Sequence, residues 1–240
     1  MNHRTEILKE LLEGQPLELE AVASGGGYRI RRQADDEALR LVHQVFLSDA
    51  GLPPRVVVFA GMNHGNGCSQ IAASIAEILA GDPLRSVCLV EANFRSPIAS
   101  GLYVAGSARG FTDALVRKGP IRSYCRPVDD IGNFWSLSCG VITPDSASLL
   151  ASSALRERIA ELRAEFDFVL IDAPPLSNYA DAIALGRPAD GLILIVEAGA
   201  TRRDETADAV ANLRACKVNI LAAVLNKDTA AVPEKLYKRL

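Results

Sequence analysis

The segment that decides the fold is Arg55-Val-Val-Val-Phe-Ala-Gly-Met-Asn-His-Gly-Asn-Gly-Cys-Ser-Gln70. Its first half contains the apolar run Val56-Val-Val-Phe59, which is typical of a buried parallel strand. Glycine then recurs through the loop that follows, at Gly61, Gly65 and Gly67. The apolar spacing from Ser69 to Leu79 predicts a helix directly behind this loop. A helix N-terminus behind a glycine-rich loop favours an anion, because its free N–H groups and positive dipole end point toward the ligand.

The loop nearly matches the phosphate-binding Walker A pattern, G-x-x-x-x-G-K-[ST]. Gly67 and Ser69 fit the pattern, whereas Gly61 lies one residue early and Met62 stands in its place. The lysine position is occupied by Cys68, whose short side chain is mostly neutral at pH 7. The sequence therefore predicts a phosphate cradle that has lost its principal cation.

Bulk composition bounds the class of protein. The chain has 240 residues, 49% of them hydrophobic, which is enough for one large α/β domain or two small ones. Its net charge of −3 and pI of about 5.7 argue against a global nucleic-acid footprint. Apolar runs are too short for a membrane span, the charged N-terminus does not resemble a signal peptide, and five scattered cysteines predict buried thiols in a reducing cytosol.

We divide the chain into an arm and linker at 1–34 and a domain at 35–240. The arm contains a short amphipathic helix predicted over 4–13, then a loosely structured stretch over 15–34 with a Ser-Gly-Gly-Gly linker at 24–27. The domain opens with a helix predicted over about 36–48 and capped by an aspartate. From there strands and helices alternate, including a strand predicted from Phe134 to Cys139, a helix over 149–165 and a helix over 201–215 capped by Thr201. This alternation predicts a doubly wound, mostly parallel sheet in a three-layer α/β/α sandwich.

A second candidate site element is Phe166-Asp-Phe-Val-Leu-Ile-Asp-Ala-Pro-Pro175. Four apolar residues lead to Asp172 at a predicted strand end, which is the pattern of a Walker B carboxylate that holds Mg²⁺ directly or through water. The second predicted buried strand, Val87 to Val90, carries Glu91, Asn93 and Arg95 at its carboxyl end. Open α/β sheets place their chemistry at that end.

The ordered set of motifs resembles one family, the bacterial tyrosine kinases of capsule and exopolysaccharide synthesis, which are relatives of the MinD/ParA ATPases. The resemblance covers roughly residues 35–228. Gly65-Asn-Gly-Cys-Ser69 resembles the family's G-E-G-K-[ST], Leu89 to Pro97 its [LI]-[LI]-D-A-D-x-R-x-P, and Val169 to Pro175 its V-I-I-D-T-P-P. Further matches are Gly110-Phe-Thr-Asp-Ala-Leu115, Ala180-Asp-Ala182, Ala189-Asp-Gly191 and Val224-Leu-Asn226. The resemblance implies a P-loop NTPase fold.

The resemblance also implies the site residues. It implies Mg-ATP or Mg-ADP as the cofactor, with Mg²⁺ held by Ser69 and Asp172, and, for an active enzyme, Glu91 and Asp172 as the catalytic carboxylates. The residues implied for nucleotide and phosphate binding are Gly65, Asn66, Gly67, Cys68, Ser69, Gln70 and Asn226, the last facing the base. No structural metal is expected.

Departures from the family pattern concentrate on the chemistry. Besides Cys68, Glu91 replaces an aspartate and displaces its oxygen by about 1.5 Å, a shift on the scale that costs roughly 10²-fold in rate. Asn93 replaces a second aspartate and cannot act as a base. The assembly helix motif E-x-x-R-x-x-R is only partly kept, as Glu37 and Arg40. The C-terminal tyrosine cluster is reduced to Tyr237, the remaining candidate phosphosite.

For three side chains, the sequence is compatible with two different roles. Ser69 suits either Mg²⁺ ligation or a helix N-terminus. Arg95 suits either a phosphate or a surface ion pair. Cys68 at a helix N-terminus also suits a reactive thiol, although no accompanying His–Asp pair is visible.

Our leading hypothesis is a degenerate, cytoplasmic relative of these kinases that sits peripherally at the inner membrane. It would regulate or scaffold exopolysaccharide synthesis, chain-length control and export with a Wzz-type polysaccharide co-polymerase. The partly kept assembly motif leaves homo-oligomerisation open, and no nucleic-acid partner is expected. The alternative is an active Mg-ATP-dependent ATPase or tyrosine autokinase of the same pathway. A third hypothesis is a MinD/ParA-like positioning ATPase. Proteins of that group usually carry an additional lysine early in the P-loop, and residues 61–64 contain none, which argues against this hypothesis.

Overall fold

The computed structural model describes residues 19–22, 28–47, 52–95, 109–128 and 132–227. These residues form strands β1 (Leu19–Val22), β2 (Val56–Gly61), β3 (Val87–Glu91), β4 (Arg126–Pro127), β5 (Phe134–Leu137), β6 (Phe168–Asp172), β7 (Gly191–Glu197) and β8 (Ile220–Asn226). The helices are α1 (Tyr28–Val45), α2 (Cys68–Ala80), α3 (Phe111–Val116), α4 (Ser153–Glu165), α5 (Asp181–Gly186) and α6 (Arg203–Ala215). Two 3₁₀ helices span Ile121–Tyr124 and Ser146–Ala151.

The strands form one eight-stranded sheet in the order β1-β8-β7-β2-β6-β3-β5-β4. Every pair is parallel except β4 with β5, which is antiparallel. β2 lies between β6 and β7, so the loop that leaves its carboxyl end is surrounded by other strand ends. The predicted doubly wound, mostly parallel α/β fold is confirmed.

Two apolar layers cover the two faces of the sheet, as the alternation of side chains along each strand requires. One layer packs α1 and α2 on inward residues such as Phe59 and Leu170. The other packs the remaining helices on residues such as Val58 and Ile171. The strands are buried on both faces, which explains why β2 reads as an uninterrupted apolar run.

The N-terminal part of the chain differs from the expectation. Residues 19–22 form β1, which pairs in parallel with β8, so the prediction of a loosely structured stretch over 15–34 is wrong for these residues. α1 begins at Tyr28 rather than near residue 36, and it therefore needs no aspartate cap. β1 pairs with β8, and α1 packs on one face of the sheet. These tertiary contacts outweigh the preference of the glycines and serine at 24–27 for a flexible linker. The helix predicted over 4–13 lies outside the described residues.

Other boundaries differ by a few residues. The helix predicted from 149 to 165 is divided into a 3₁₀ helix and α4, with Ser152 between them. The strand predicted from Phe134 to Cys139 ends at Leu137. Thr201 does not cap α6, which begins at Arg203, because the Thr201 hydroxyl instead accepts a hydrogen bond from the Glu197 amide at 3.0 Å.

Candidate nucleotide site

The glycine-rich loop joins the end of β2 to the start of α2 and adopts a turn that requires glycine. Gly65 and Gly67 have φ of 77° and 86°, in the left-handed region that favours glycine. The Met62 amide donates to the Ile195 carbonyl at 2.9 Å, which anchors the start of the loop to β7. The Ile71 amide donates to the Gly67 carbonyl at 3.0 Å, and the amides of α2 before it have no intrahelical acceptor, which suits the predicted anion cradle.

Two buried asparagines hold this loop in place. The Asn66 side chain donates to the Ile195 carbonyl at 3.1 Å and lies against Gly61, where a Cβ would come within 2.2 Å of its Nδ2. The Asn226 side chain, fully buried, donates to the Asn66 carbonyl at 2.7 Å. Its Oδ1 has no hydrogen-bond partner among the described residues. Asn226, expected at the nucleotide base, is therefore bound to the loop itself in this structure.

Ser69 and Asp172 form the pair that the resemblance implies for Mg²⁺. The Ser69 hydroxyl donates to Asp172 Oδ2 at 2.6 Å, while Asp172 Oδ1 is buried with no partner among the described residues. Burial raises the pKa of Asp172 to about 6, and the Ser69 and Cys68 side chains partly oppose this effect. Ser69 thus contacts a site carboxylate across the sheet edge and does not act as a helix cap.

Cys68 places a thiol where the Walker A pattern places an ammonium group. The residue is only 9% exposed, and burial raises its pKa well above the usual value. The neighbouring Asp172 raises it further by its charge and by accepting a hydrogen bond from the thiol. Because the thiol is held in its neutral form, Cys68 supplies neither a cation for phosphate nor a reactive thiolate.

Glu91 lies beside Asp172, because the two residues are paired across β3 and β6. It is buried, and neither of its carboxylate oxygens has a hydrogen-bond partner among the described residues. Burial raises the pKa of Glu91 to about 7, and the charge of Asp172 adds to this effect against the opposing influence of the Cys139 backbone. The site therefore contains two carboxyl groups that titrate near neutrality.

Sequence reasoning missed Cys139, which it grouped with the buried structural thiols. Cys139 follows β5 and lies at the same edge, where burial raises its pKa, with Glu91 and Asp172 contributing further. Its thiol donates to the Asn93 carbonyl at 3.7 Å. The strand order, in which β5 neighbours β3, is the signal that could have placed it here.

Arg95 forms a surface ion pair, which decides between its two readings. Its guanidinium donates two hydrogen bonds to Asp181, at 2.8 and 3.2 Å, and stacks over the Tyr179 ring at 4.6 Å. The His64 ring packs edge-to-face with the Tyr179 ring, with the two centroids 6.4 Å apart. Asn93 accepts a hydrogen bond from the Arg95 amide and orders the chain at the end of β3.

The remaining predicted residues are Gln70, Glu37, Arg40 and Tyr237. Gln70 is exposed on the first turn of α2. Glu37 and Arg40 lie on α1, where Arg40 is exposed and Glu37 is half-buried. Tyr237 lies outside the described residues. No helix in the described part of the chain combines the length and the apolar character that crossing a membrane would need.

The residues present fit a magnesium ion better than they fit a nucleotide. The Ser69 hydroxyl and the free Asp172 oxygen are hard oxygen donors of the kind Mg²⁺ prefers. No group of three or more His, Cys, Asp or Glu side chains in the described ranges has the geometry of a metal site, so phosphate and water would have to complete the shell. Position 68 offers the phosphates no charge.

Comparisons with known proteins agree with this description. No family model matches the chain. The tyrosine-protein kinase YwqD of Bacillus subtilis (strain 168) is 32% identical over 162 residues, which cover 68% of this chain and 68% of the relative. The crystal structure of the chimerical protein CapA2B2 has a TM-score of 0.79 at 19% identity, covering 92% of this chain and 97% of that one. The cell division ATPase MinD of Pyrococcus furiosus has a TM-score of 0.61 at 20% identity, covering 77% and 78%.

The fold and the glycine-rich loop define a P-loop protein of the group that contains MinD, ParA and the bacterial tyrosine kinases. Within this group, the chain belongs to the bacterial tyrosine kinase family.

Proposed function

We propose that this chain is a degenerate bacterial tyrosine kinase that works as a regulatory or scaffolding protein in exopolysaccharide biosynthesis, chain-length control and export. Its partner is a Wzz-type polysaccharide co-polymerase of the inner membrane, to which it binds peripherally from the cytoplasm. Oligomers would form through α1, with Glu37 and Arg40 at the contact. The phosphosite Tyr237 belongs to the same proposal.

The observation that carries the proposal is that position 68, where the Walker A pattern places a lysine, holds a buried cysteine whose pKa is raised, so that its thiol is neutral. Phosphoryl transfer is catalysed mainly by positioning and by stabilisation of the developing charge. Loss of one preorganised stabilising contact typically costs about 10² to 10³ in rate. In this site a cation is replaced by a thiol, and the second carboxylate of the β3 motif is replaced by Asn93.

The state of the carboxylates supports the same proposal. Glu91 has a pKa of about 7 and Asp172 a pKa of about 6, because both carboxyl groups are buried without a compensating positive charge. A lysine at position 68 would stabilise both carboxylates in their ionised form. The two carboxylates are the part of the family's site that this chain keeps, and the Walker A lysine, replaced by Cys68, is the part that it lacks.

One observation favours the alternative of an active Mg-ATP-dependent ATPase or tyrosine autokinase. The Ser69–Asp172 pair is intact at 2.6 Å, and a free carboxylate oxygen lies beside it. In that case Ser69 and Asp172 hold the metal and Glu91 takes the place of the family's aspartate.

Polymer production in a strain that lacks the native gene distinguishes the scaffolding protein from the active enzyme. The test compares the native chain with the double variant Ser69→Ala/Asp172→Ala, after thermal unfolding has established that the variant folds. The scaffolding proposal expects equal polymer yield and chain length from both. A polymer defect in the variant, together with phosphotyrosine on Tyr237 that only the native chain acquires, would establish the enzyme instead.

A further inference from the structure

An open pocket lies where the ends of α5 and α6 come together. It has a volume of about 380 Å³ and is lined by Arg187, Ala215, Cys216 and Lys217. Arg187 directly follows α5, and Ala215 is the last residue of α6. These segments lead into β7 and β8, which are neighbouring parallel strands. The pocket is therefore at the amino edge of the sheet, opposite to the carboxyl edge that holds the candidate nucleotide site.

Contacts at the ends of the two helices give this pocket a fixed shape. Val218 packs against Gly186, the last residue of α5, where a Cβ would come within 2.7 Å of the valine side chain. The Lys217 amide donates to the Arg214 carbonyl and the Val218 amide to the Leu213 carbonyl, both at 2.9 Å, which closes α6 in a Schellman motif. Lys217 has a φ of 60° in this turn. The direction in which its side chain leaves the backbone is thus set by the fold.

The pocket carries positive charge that no neighbouring acid balances. Arg187 and Lys217 are both exposed, and neither forms an ion pair with another residue in the described part of the chain. Asp190 is the only acid among residues 183–190 and 211–219. Its carboxylate is already engaged, because it accepts hydrogen bonds from two backbone amides and pairs with an arginine of α4. The pocket therefore suits an anion.

The thiol in this pocket differs from the other thiols of the chain. Cys216 is half-buried and reaches the pocket, and its Sγ donates to Asn212 Oδ1 at 3.7 Å. The remaining cysteines are all buried, namely Cys68, Cys88, Cys125 and Cys139. A reagent in solution therefore meets Cys216 before it meets any of them.

A thiol between two unpaired cations defines the chemistry of a ligand. Arginine and lysine bind carboxylates through charge-assisted hydrogen bonds. A thiol reacts with a disulfide by exchange, through attack of its thiolate on one sulfur. A small disulfide that carries carboxylates satisfies both requirements, and the volume of the pocket falls within the range of about 300 to 1,000 Å³ that small-molecule sites occupy.

We propose that this pocket binds the disulfide of a small, carboxylate-bearing thiol, and that Cys216 exchanges with it to form a mixed disulfide. Arg187 and Lys217 hold the carboxylates while the Cys216 thiolate attacks one sulfur. The S–S bond of the ligand breaks, a new S–S bond to Cys216 forms, and the other half of the ligand leaves as a thiolate that takes up the proton Cys216 released. Cys216 is oxidised as the departing thiol is reduced. This modification site goes beyond the proposed function and does not depend on it.

Reaction of the reduced full chain with glutathione disulfide, followed by mass spectrometry, tests the proposal. We expect a single adduct, on Cys216, and none in Cys216→Ser. The variant Arg187→Gln/Lys217→Asn removes both charges, and asparagine tolerates the left-handed backbone of position 217. It should react with glutathione disulfide about fivefold more slowly than the native chain, whereas its rate with cystamine, a disulfide that carries amines, should not fall. The difference between variant and native chain should disappear in about 1 M salt, where the Debye length is about 3 Å.

A matched control removes two exposed cations elsewhere. Lys118→Gln/Arg156→Gln should change the rate with glutathione disulfide by about twofold at most. The proposal is overturned if Cys216 acquires no adduct, if a buried cysteine reacts first, or if the control slows the reaction as much as the change at residues 187 and 217. It is also overturned if that change leaves the rate with glutathione disulfide unaltered, or slows both disulfides equally, because Cys216 would then be an accessible thiol without an anion site.

Discussion

Glu91 and Asp172 are paired residues on neighbouring parallel strands, so two buried carboxyl groups lie side by side at the carboxyl edge of the sheet. Position 68, which in the family pattern supplies a lysine to this edge, holds a neutral thiol instead. The chain has therefore kept an acidic site while losing the cation that would balance it. The energetic and functional consequences of this arrangement can be measured separately.

The first consequence is a pH dependence of stability. Burial raises the pKa of Glu91 from 4.5 to about 7 and that of Asp172 from 3.8 to about 6. At pH values between the ordinary and the raised pKa of each group, the folded protein keeps a proton that the unfolded chain releases. The free energy of unfolding therefore falls as pH rises through this range. This contribution is complete below about pH 4 and is lost as pH rises through about 6 to 7.

Glu91→Gln should remove its share of this dependence. We expect urea unfolding at pH 5 and at pH 8 to show a smaller loss of stability in Glu91→Gln than in the native chain. Glu157→Gln, an exposed position on α4, serves as the control and should leave the difference unchanged. If the native chain and Glu91→Gln lost the same stability between pH 5 and pH 8, Glu91 would be ionised over this whole range, contrary to our description of the site.

Two loop glycines should respond differently to alanine. Both have positive φ, so each substitution strains the backbone by about 1 kcal/mol. A Cβ at Gly67 would also lie 2.3 Å from Asn226 Nδ2, whereas a Cβ at Gly65 meets nothing within 4 Å. Chemical unfolding should therefore show Gly67→Ala to be more destabilising than Gly65→Ala, by at least about 1 kcal/mol. Similar losses would argue against the contact between the loop and Asn226.

Arg158 should be among the costliest single side chains to remove. Arg158→Met leaves the carbonyls of Ala114, Arg117 and Gly119 without their shared donor, at a cost of about 3 kcal/mol. The matched variant Arg156→Met changes an exposed arginine of the same helix and should cost less than about 0.5 kcal/mol. Urea unfolding of both variants measures the difference. A similar small cost for both would mean that water replaces the guanidinium freely.

The centre of the sheet could be predicted from the sequence because its signals are local and strong. The apolar run at Val56, the glycines after it and the buried strand that ends at Asp172 each specify one element, and strand alternation fixes their arrangement. Asp172 and Ser69 meet across the sheet edge as the motif spacing implies.

The parts that could not be predicted depend on contacts between distant segments. Cys139 reaches the carboxylates only because β5 pairs with β3, and Arg95 finds Asp181 across 86 residues of sequence. β1 forms because its backbone pairs with the free edge of β8. No local property of residues 19–22 predicts this pairing. Burial of Asn66 likewise follows from a hydrogen bond to β7, in a loop where a polar residue would ordinarily be exposed.

Mg-ADP binding measured by calorimetry tests the central claim, that Cys68 has removed the charge needed to hold a nucleotide. The series comprises the native chain, Cys68→Lys, and Cys68→Ala as a control that removes the thiol without adding a charge. We expect no measurable binding by the native chain or by Cys68→Ala, and a gain of at least about tenfold in affinity for Cys68→Lys. Micromolar binding of Mg-ADP by the native chain, unchanged in Cys68→Lys, would contradict the account.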